Sequence, residues 1–153
     1  MPTHTEKRVL AYKPEQIYDL VADVMRYPEF LPWTAAARIK SRKDLADGRT
    51  EMLVDLVISF KVFRERFGSH VVLDAQAMRV DTEYLDGPFK YMKSYWNIAP
   101  HADGCEVEFF VDFEFKNAIL QAAIGVVFNQ AMLRVVKAFE IRAAELYGDL
   151  AKG

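Results

Sequence analysis

The sequence predicts an α+β fold in which a curved antiparallel sheet of six to seven strands wraps around one long C-terminal helix. Three observations predict it. Apolar residues recur with period two from Ala36 to Phe115, a long helix is predicted from Asn117 to Tyr147 with a helical stripe from Phe128 onward, and a shorter helical stretch follows Pro14.

The opening segment Thr5–Tyr12 reads as a strand, and Pro14 suits the first turn of a helix because its missing N–H would be unpaired there anyway. That helix is predicted to reach about Met25, with Ile17, Leu20, Val21, Val24 and Met25 forming one apolar stripe. Pro28 and Pro32 then break regular structure, yet Tyr27, Phe30, Leu31 and Trp33 are too apolar for a fully solvated loop, so this loop is expected to cap a core or a cavity mouth.

Three polar turns, Ala46-Asp47-Gly48, Asp86-Gly87-Pro88 and Ala102-Asp103-Gly104, divide the next eighty residues into a meander. In it Met52, Val54, Leu56 and Ile58 oppose Arg49, Glu51 and Asp55, and Met78, Val80 and Tyr84 oppose Arg79, Asp81 and Glu83. The last strand alternates most cleanly, with Cys105, Val107, Phe109, Val111, Phe113 and Phe115 on one parity and Phe110 as the single apolar exception on the other. The strand from Lys61 to Val72 is irregular. Arg64 and Arg66 share a parity with Val62, Gly68 marks a candidate bulge, and the faces of Arg66 and His70 stay open.

Asn117 is a good N-cap for the final helix, and Gly148 stands where a left-handed C-cap belongs. Its second half has a regular stripe of Phe128, Met132, Val135, Val136, Phe139, Ala143 and Leu146. Its first half is apolar all round, from Ala118 through Phe128, and such a helix needs an apolar neighbour besides the sheet.

The chain has 153 residues, 52% of them hydrophobic and 27% charged, which is the composition of an ordinary globular protein. One domain spanning 1–153 is the expectation. The net charge of −2 is spread along the chain and gives no support for nucleic-acid binding, DNA included, and the slightly acidic balance argues against a surface made for rRNA phosphates. Cys105 is the only cysteine, so no internal disulfide is available and a reducing, cytoplasmic setting is expected. The first eight residues lack the apolar run of an export signal. The stretch Ala118–Phe128 is about half the roughly 20 residues that span a bilayer, so the expectation is a protein that at most touches the inner face of a membrane.

Signatures of catalysis are missing from the sequence. It holds no Gly-rich phosphate loop, no Gly-x-Ser-x-Gly elbow and no paired-histidine zinc motif, and His101 and Cys105 flank a turn with no further ligand nearby. Asp23, Asp55 and Glu114 read as surface carboxylates. The expectation is a non-enzymatic binder that needs no cofactor or metal. If the sheet curves around the helix, side chains do not fill the gap, and an elongated apolar cavity remains. Met52, Met78, Met92 and Met132 fall on inward positions, where flexible thioethers suit either an adaptable wall or plain core filling. The residues expected to meet a ligand are Phe30, Trp33, Met92, Trp96, Phe109, Val111, Ile124, Phe128 and Met132. Arg64, Arg66 and His70 are alternatively a head-group contact or a solvated face.

The motifs Tyr27-Pro-Glu-Phe-Leu-Pro-Trp33, Asp86-Gly-Pro-Phe89, Trp96 and Arg142-Ala-Ala-Glu-Leu-Tyr-Gly148 together resemble the coenzyme-Q-binding START-like family, a branch of the polyketide cyclase and lipid transport superfamily. The resemblance covers nearly the whole chain. It implies a helix-grip fold and binding of ubiquinone or a related isoprenoid lipid in support of respiratory electron transfer, without turnover. A related branch contains ribosome-association toxins that bind the large ribosomal subunit, and the superfamily also contains polyketide aromatases and cyclases; both are alternatives. The chain departs from the family pattern at Thr34, His70, Ser94 and Ile98, of which Ser94 adds bulk and a hydroxyl to a wall position usually held by glycine.

Overall fold

A computed structural model describes residues 3–60 and 63–148. Seven strands form one antiparallel sheet, β1 (Thr3–Leu10), β2 (Thr34–Asp44), β3 (Thr50–Phe60), β4 (Phe63–Asp74), β5 (Arg79–Asp86), β6 (Phe89–His101) and β7 (Gly104–Phe115). Their order across the sheet is β1-β7-β6-β5-β4-β3-β2, so β2 to β7 form an uninterrupted meander and β1 adds to its far side. Two helices complete the fold, α1 (Pro14–Ala22) and α2 (Ala118–Tyr147). This is the predicted α+β arrangement, with seven strands.

Alternation decides which face of each strand is buried. In β7 all six odd residues from Cys105 to Phe115 are buried and every even one is partly exposed. Phe110, on the outer face, stacks on Tyr95 with ring centroids 5.2 Å apart. Met52, Val54, Val71, Leu73 and Val80 continue the same inner face across β3 to β5. The meander turns fall where the polar tripeptides stand. Gly104 is at φ 137°, and a Cβ there would run into the Leu10 carbonyl oxygen, so this turn requires glycine.

The sheet curves because its register slips. One residue is left unopposed on β2 between Thr34 and Ala36 and another between Ile39 and Ser41, one on β5 opposite the Gly68–Ser69 step, and one on β6 between Phe89 and Tyr91. Each such bulge bends its strand and increases local twist. The bulge expected at Gly68 is therefore present, but the extra residue is Leu85 on the partner strand. The inward parity of β4 runs unbroken through Phe67, Ser69, Val71 and Leu73. The expected strand start at Lys61 and Val62 lies outside the described residues.

Two boundaries differ from the expectation. Helix α1 stops at Ala22, and a short 3₁₀ segment occupies Val24–Glu29 with Pro28 inside it. The tighter turn rotates Met25 out of the predicted stripe, leaving it 47% exposed while Val24 stays buried. At the other end Leu146 is exposed, and Tyr147 takes the inward place, its hydroxyl donating to the Gln16 carbonyl at 3.1 Å.

Helix α2 is 30 residues long and is capped as expected. The Asn117 side chain accepts from the amides of Ile119 and Leu120 at 2.9 and 3.0 Å, and the Gly148 amide donates to Ala144. By length and composition α2 could cross a bilayer, contrary to the estimate from the Ala118–Phe128 stretch alone. Here it lies against the sheet, burying Phe128, Val136, Phe139 and Ala143.

Candidate functional site

The concave face of the sheet and the underside of α2 do not meet along the whole helix, and a cavity of about 430 Å³ separates them. That is within the roughly 300–1,000 Å³ range of small-molecule pockets. Strands β3 to β7 supply its floor, α2 its roof, and the segment Leu31–Thr34 one wall.

Seven of the nine residues predicted to meet a ligand line this space, namely Trp33, Met92, Trp96, Phe109, Val111, Ile124 and Met132. Trp33 adopts φ 62°, a left-handed conformation uncommon for a bulky residue, and its carbonyl accepts from Ser59 at 2.8 Å, which ties the wall to β3. Trp96 stacks near Phe109 at 4.4 Å and meets Phe139 edge-on at 4.7 Å, so its ring is fixed from two sides.

Phe30 and Phe128 are placed elsewhere. Phe30 sits edge-on to Phe139 at 5.1 Å and to Tyr27 at 6.1 Å, beneath the Arg142 guanidinium. It pins the loop to α2 behind the cavity. Phe128 points between β7 and β1, with Phe113 at 5.1 Å and His4 at 6.3 Å, and seats the helix on the sheet. Sequence periodicity gave Phe128 the right face of the helix, but a face about 100° wide includes both the seam and the cavity roof. Of the four inward methionines, Met92 and Met132 line the cavity, whereas Met52 is fully buried core and Met78 packs at its margin.

Arg64, Arg66 and His70 are all on the outer side of β4. Arg66 bridges Asp55 at 2.7 Å and Asp86 at 2.9 Å, and His70 meets Glu51 at 3.0 Å. The head-group contact considered for them is therefore excluded by parity. No Asp, Glu, His, Lys or Cys lines the cavity among the described residues. Tyr27, which does, donates its hydroxyl to the Val21 carbonyl, and burial raises its pKa well above the ordinary phenol value. Cys105 lies buried outside the cavity, where desolvation pushes its thiol up to about 11. His101 accepts the Asp103 amide at 3.0 Å on the turn surface.

Besides Tyr27 and Thr34, whose hydroxyls donate to the Val21 and Pro32 carbonyls, the polar lining has two groups. Gln130 and Arg134 are exposed residues on α2. Ser69, Thr82 and Ser94 are on the floor, on three consecutive strands. Sequence reasoning singled out only Ser94. Thr82 was legible in principle, because it shares the parity of Val80 and Tyr84, but one threonine on an apolar parity is ordinary in a strand.

The first half of α2, which roofs the cavity, is itself poorly covered. Ile119 is 83% and Val126 86% exposed, and no charged residue occurs between Ala118 and Leu133.

Residues 10–140 match the family model described as polyketide cyclase / dehydrase and lipid transport. The ribosome association toxin RatA of Rickettsia prowazekii is 39% identical over 142 residues, covering 91% of this chain and 94% of that protein. The mitochondrial coenzyme Q-binding protein COQ10 homolog B of Xenopus laevis is 31% identical over 150 residues, covering 95% of this chain and 59% of that protein. Among solved structures, an 18 kDa protein from Caulobacter crescentus superposes with TM-score 0.81 at 33% identity, over 97% of this chain and 99% of that one. A START superfamily protein from Mycobacterium smegmatis gives 0.79 at 20% identity, over 94% and 98%. An aromatase/cyclase from Streptomyces gives 0.78 at 16% identity, over 94% and 93%, and shares the helix-grip fold.

Proposed function

The chain belongs to the polyketide cyclase / dehydrase and lipid transport family, and from this premise we propose that it binds ubiquinone or a related isoprenoid lipid, without turnover, between the sheet and α2. The observation that carries the reading is the 430 Å³ cavity whose lining is overwhelmingly apolar and, among the described residues, holds no Asp, Glu, His, Lys or Cys, its titratable groups being the Tyr27 phenol, committed to the Val21 carbonyl, and the exposed Arg134. Apolar walls give water few partners, so such a space favours hydrocarbon over solvent. A cyclase must move protons at carbons, which requires positioned titratable groups. None lines this floor among the described residues, and the aromatase/cyclase likeness, at 16% identity, bears on the fold alone. Binding in this reading needs no cofactor, and it would serve respiratory electron transfer from the cytoplasm, at the inner face of a membrane.

A second reading, association with the large ribosomal subunit, has its own support. RatA of R. prowazekii matches over nearly its whole length. Edge strand β2 also carries Arg38, Lys40, Arg42 and Lys43, all exposed and none in an ion pair among the described residues. Unpaired cations along an edge suit phosphate contacts, and the near-neutral total charge concealed this local excess.

Both tryptophans of the chain, Trp33 and Trp96, line the cavity. Titration with a short-chain ubiquinone should therefore quench tryptophan emission saturably at one quinone per chain. No quenching, together with salt-sensitive pelleting with large ribosomal subunits, would replace the first reading by the second.

A further inference from the structure

We propose that Thr82 and Ser94, with Ser69 on the next strand, form a polar patch on the cavity floor and hold the neutral, oxygen-bearing ring of the lipid, of the quinone or quinol class, with its tail running toward the exposed roof and Gln130. The inference rests on the lipid-binding reading and adds an orientation and a recognition element to it.

Register puts these hydroxyls together. Thr82 pairs with Ser94 across β5 and β6, and the same row continues to Val71 on one side and Val111 on the other. Directly opposed residues have Cβ atoms about 5 Å apart, so the two side chains flank one spot on the floor. Their neighbours along each strand, Val80 on β5 and Trp96 on β6, are buried, and both Thr82 and Ser94 retain exposure on this inner face because they border the cavity. Ser69, on β4, is 1% exposed and its hydroxyl is already directed to the Val54 carbonyl at 3.4 Å. Thr82 and Ser94 have no side-chain partner among the described residues. Two uncommitted hydroxyls thus stand side by side in an otherwise apolar floor, where a polar group gains most from a bond and loses most without one.

The chemistry of the pair selects its partner. A hydroxyl donates one hydrogen and accepts through two lone pairs, so it can donate to a carbonyl or ether oxygen and, after rotation, accept from a ring hydroxyl. The site therefore takes both the oxidised and the reduced form of a quinone. No cation lies on the floor to hold a carboxylate or phosphate, and an unpaired anion there would be strongly disfavoured. Gln130 and Arg134 are exposed and hydrated, so a head group left beside them exchanges one set of water bonds for another. A tail pressed onto the floor would leave both hydroxyls facing hydrocarbon.

These two orientations predict opposite signs for the same substitutions. Thr82→Val, Ser94→Ala and the double variant are titrated with a short-chain ubiquinone and with squalene as a hydrocarbon probe that lacks oxygen, each with a thermal melt to verify folding. The expected result is a loss of about 10-fold in quinone affinity for each single variant and more for the double, with squalene affinity unchanged or improved and melting temperature unchanged or raised. Unchanged or tighter quinone binding in folded variants overturns the proposal while leaving the lipid reading intact. A wild-type protein that binds neither probe overturns the lipid reading and the proposal with it.

Discussion

The two halves of α2 are one continuous helix by hydrogen bonding and two different objects by packing. From Arg134 onward the helix is fastened at several points: Glu140 accepts from Arg8 of β1 at 2.7 Å, Arg142 donates to Glu29 at 2.7 Å, Tyr147 reaches Gln16 of α1, and Phe139 is enclosed by Tyr27, Phe30 and Trp96. From Ala118 to Val127 the ties are the Asn117 cap and the Gln121 side chain, which accepts the Phe115 amide at 2.8 Å. Leu120, Ile124 and Val127 of this half face a cavity. The anchored half stores the packing energy that fixes the fold, and the uncharged half is free to respond to whatever enters beneath it. Regions that open for ligands are drawn from the weakly packed end of a protein's stability range.

The largest expected contrast is in stability. Phe139→Ala removes a ring held by three aromatic neighbours and should cost about 3–5 kcal/mol, whereas Ile119→Ala on the exposed half should stay within about 0.5 kcal/mol. Urea denaturation of the two variants measures it, and comparable losses would erase the distinction between the halves.

A change on the cavity roof should reverse the pattern. Ile124→Trp places an indole into the empty space, so lipid uptake should fall at least about 10-fold while stability changes by less than the usual cost of about 1–3 kcal/mol for overpacking a filled core. Quinone titration and a melt on the same sample check both parts, and a well-folded variant that binds normally would show that the lipid goes elsewhere.

Hydrogen exchange should register the same difference without substitution. Amides of 121–127 are expected to exchange faster than those of 136–146 in the free protein, and bound lipid should slow the first group selectively. Uniform protection along the helix in both states would contradict the account.

The smallest effect concerns pH. Hydrogen bonds from Arg26 first, and then Arg142, hold the Glu29 carboxyl below its ordinary value of 4.5. A lowered folded-state pKa stabilises above the unfolded value, and that contribution disappears as pH falls through the folded value. Acid unfolding below about pH 4.5 should therefore be slightly shallower in Glu29→Gln. An unchanged acid limb would mean that the Arg142–Glu29 contact does not help to hold the loop.

The sheet was legible because its side chains have two choices only, inside or outside, and in β7 the sequence makes that choice six times in succession. The turn glycines and the α2 caps were legible for a similarly local reason. What local pattern cannot specify is which inward residue meets another side chain and which meets empty space. Phe30 and Phe128 fell on the first side of that division, and Ile124 and Met132 on the second. The sidedness of Arg66 and His70 required the register of β4 against its neighbours, which the irregular sequence after Lys61 obscured. Thr82 and Ser94 become a pair only through the same long-range register, 12 residues of chain apart by their numbers.

The central claim, that the space under the free half of α2 holds a lipid, is tested most directly by purifying the protein gently from its own host and extracting it into organic solvent for mass spectrometry, beside Ile124→Trp treated identically. The account predicts about one quinone or related isoprenoid lipid per chain from the native protein and little from the variant. An empty native protein that sediments with large ribosomal subunits, or equal lipid from both, would contradict it.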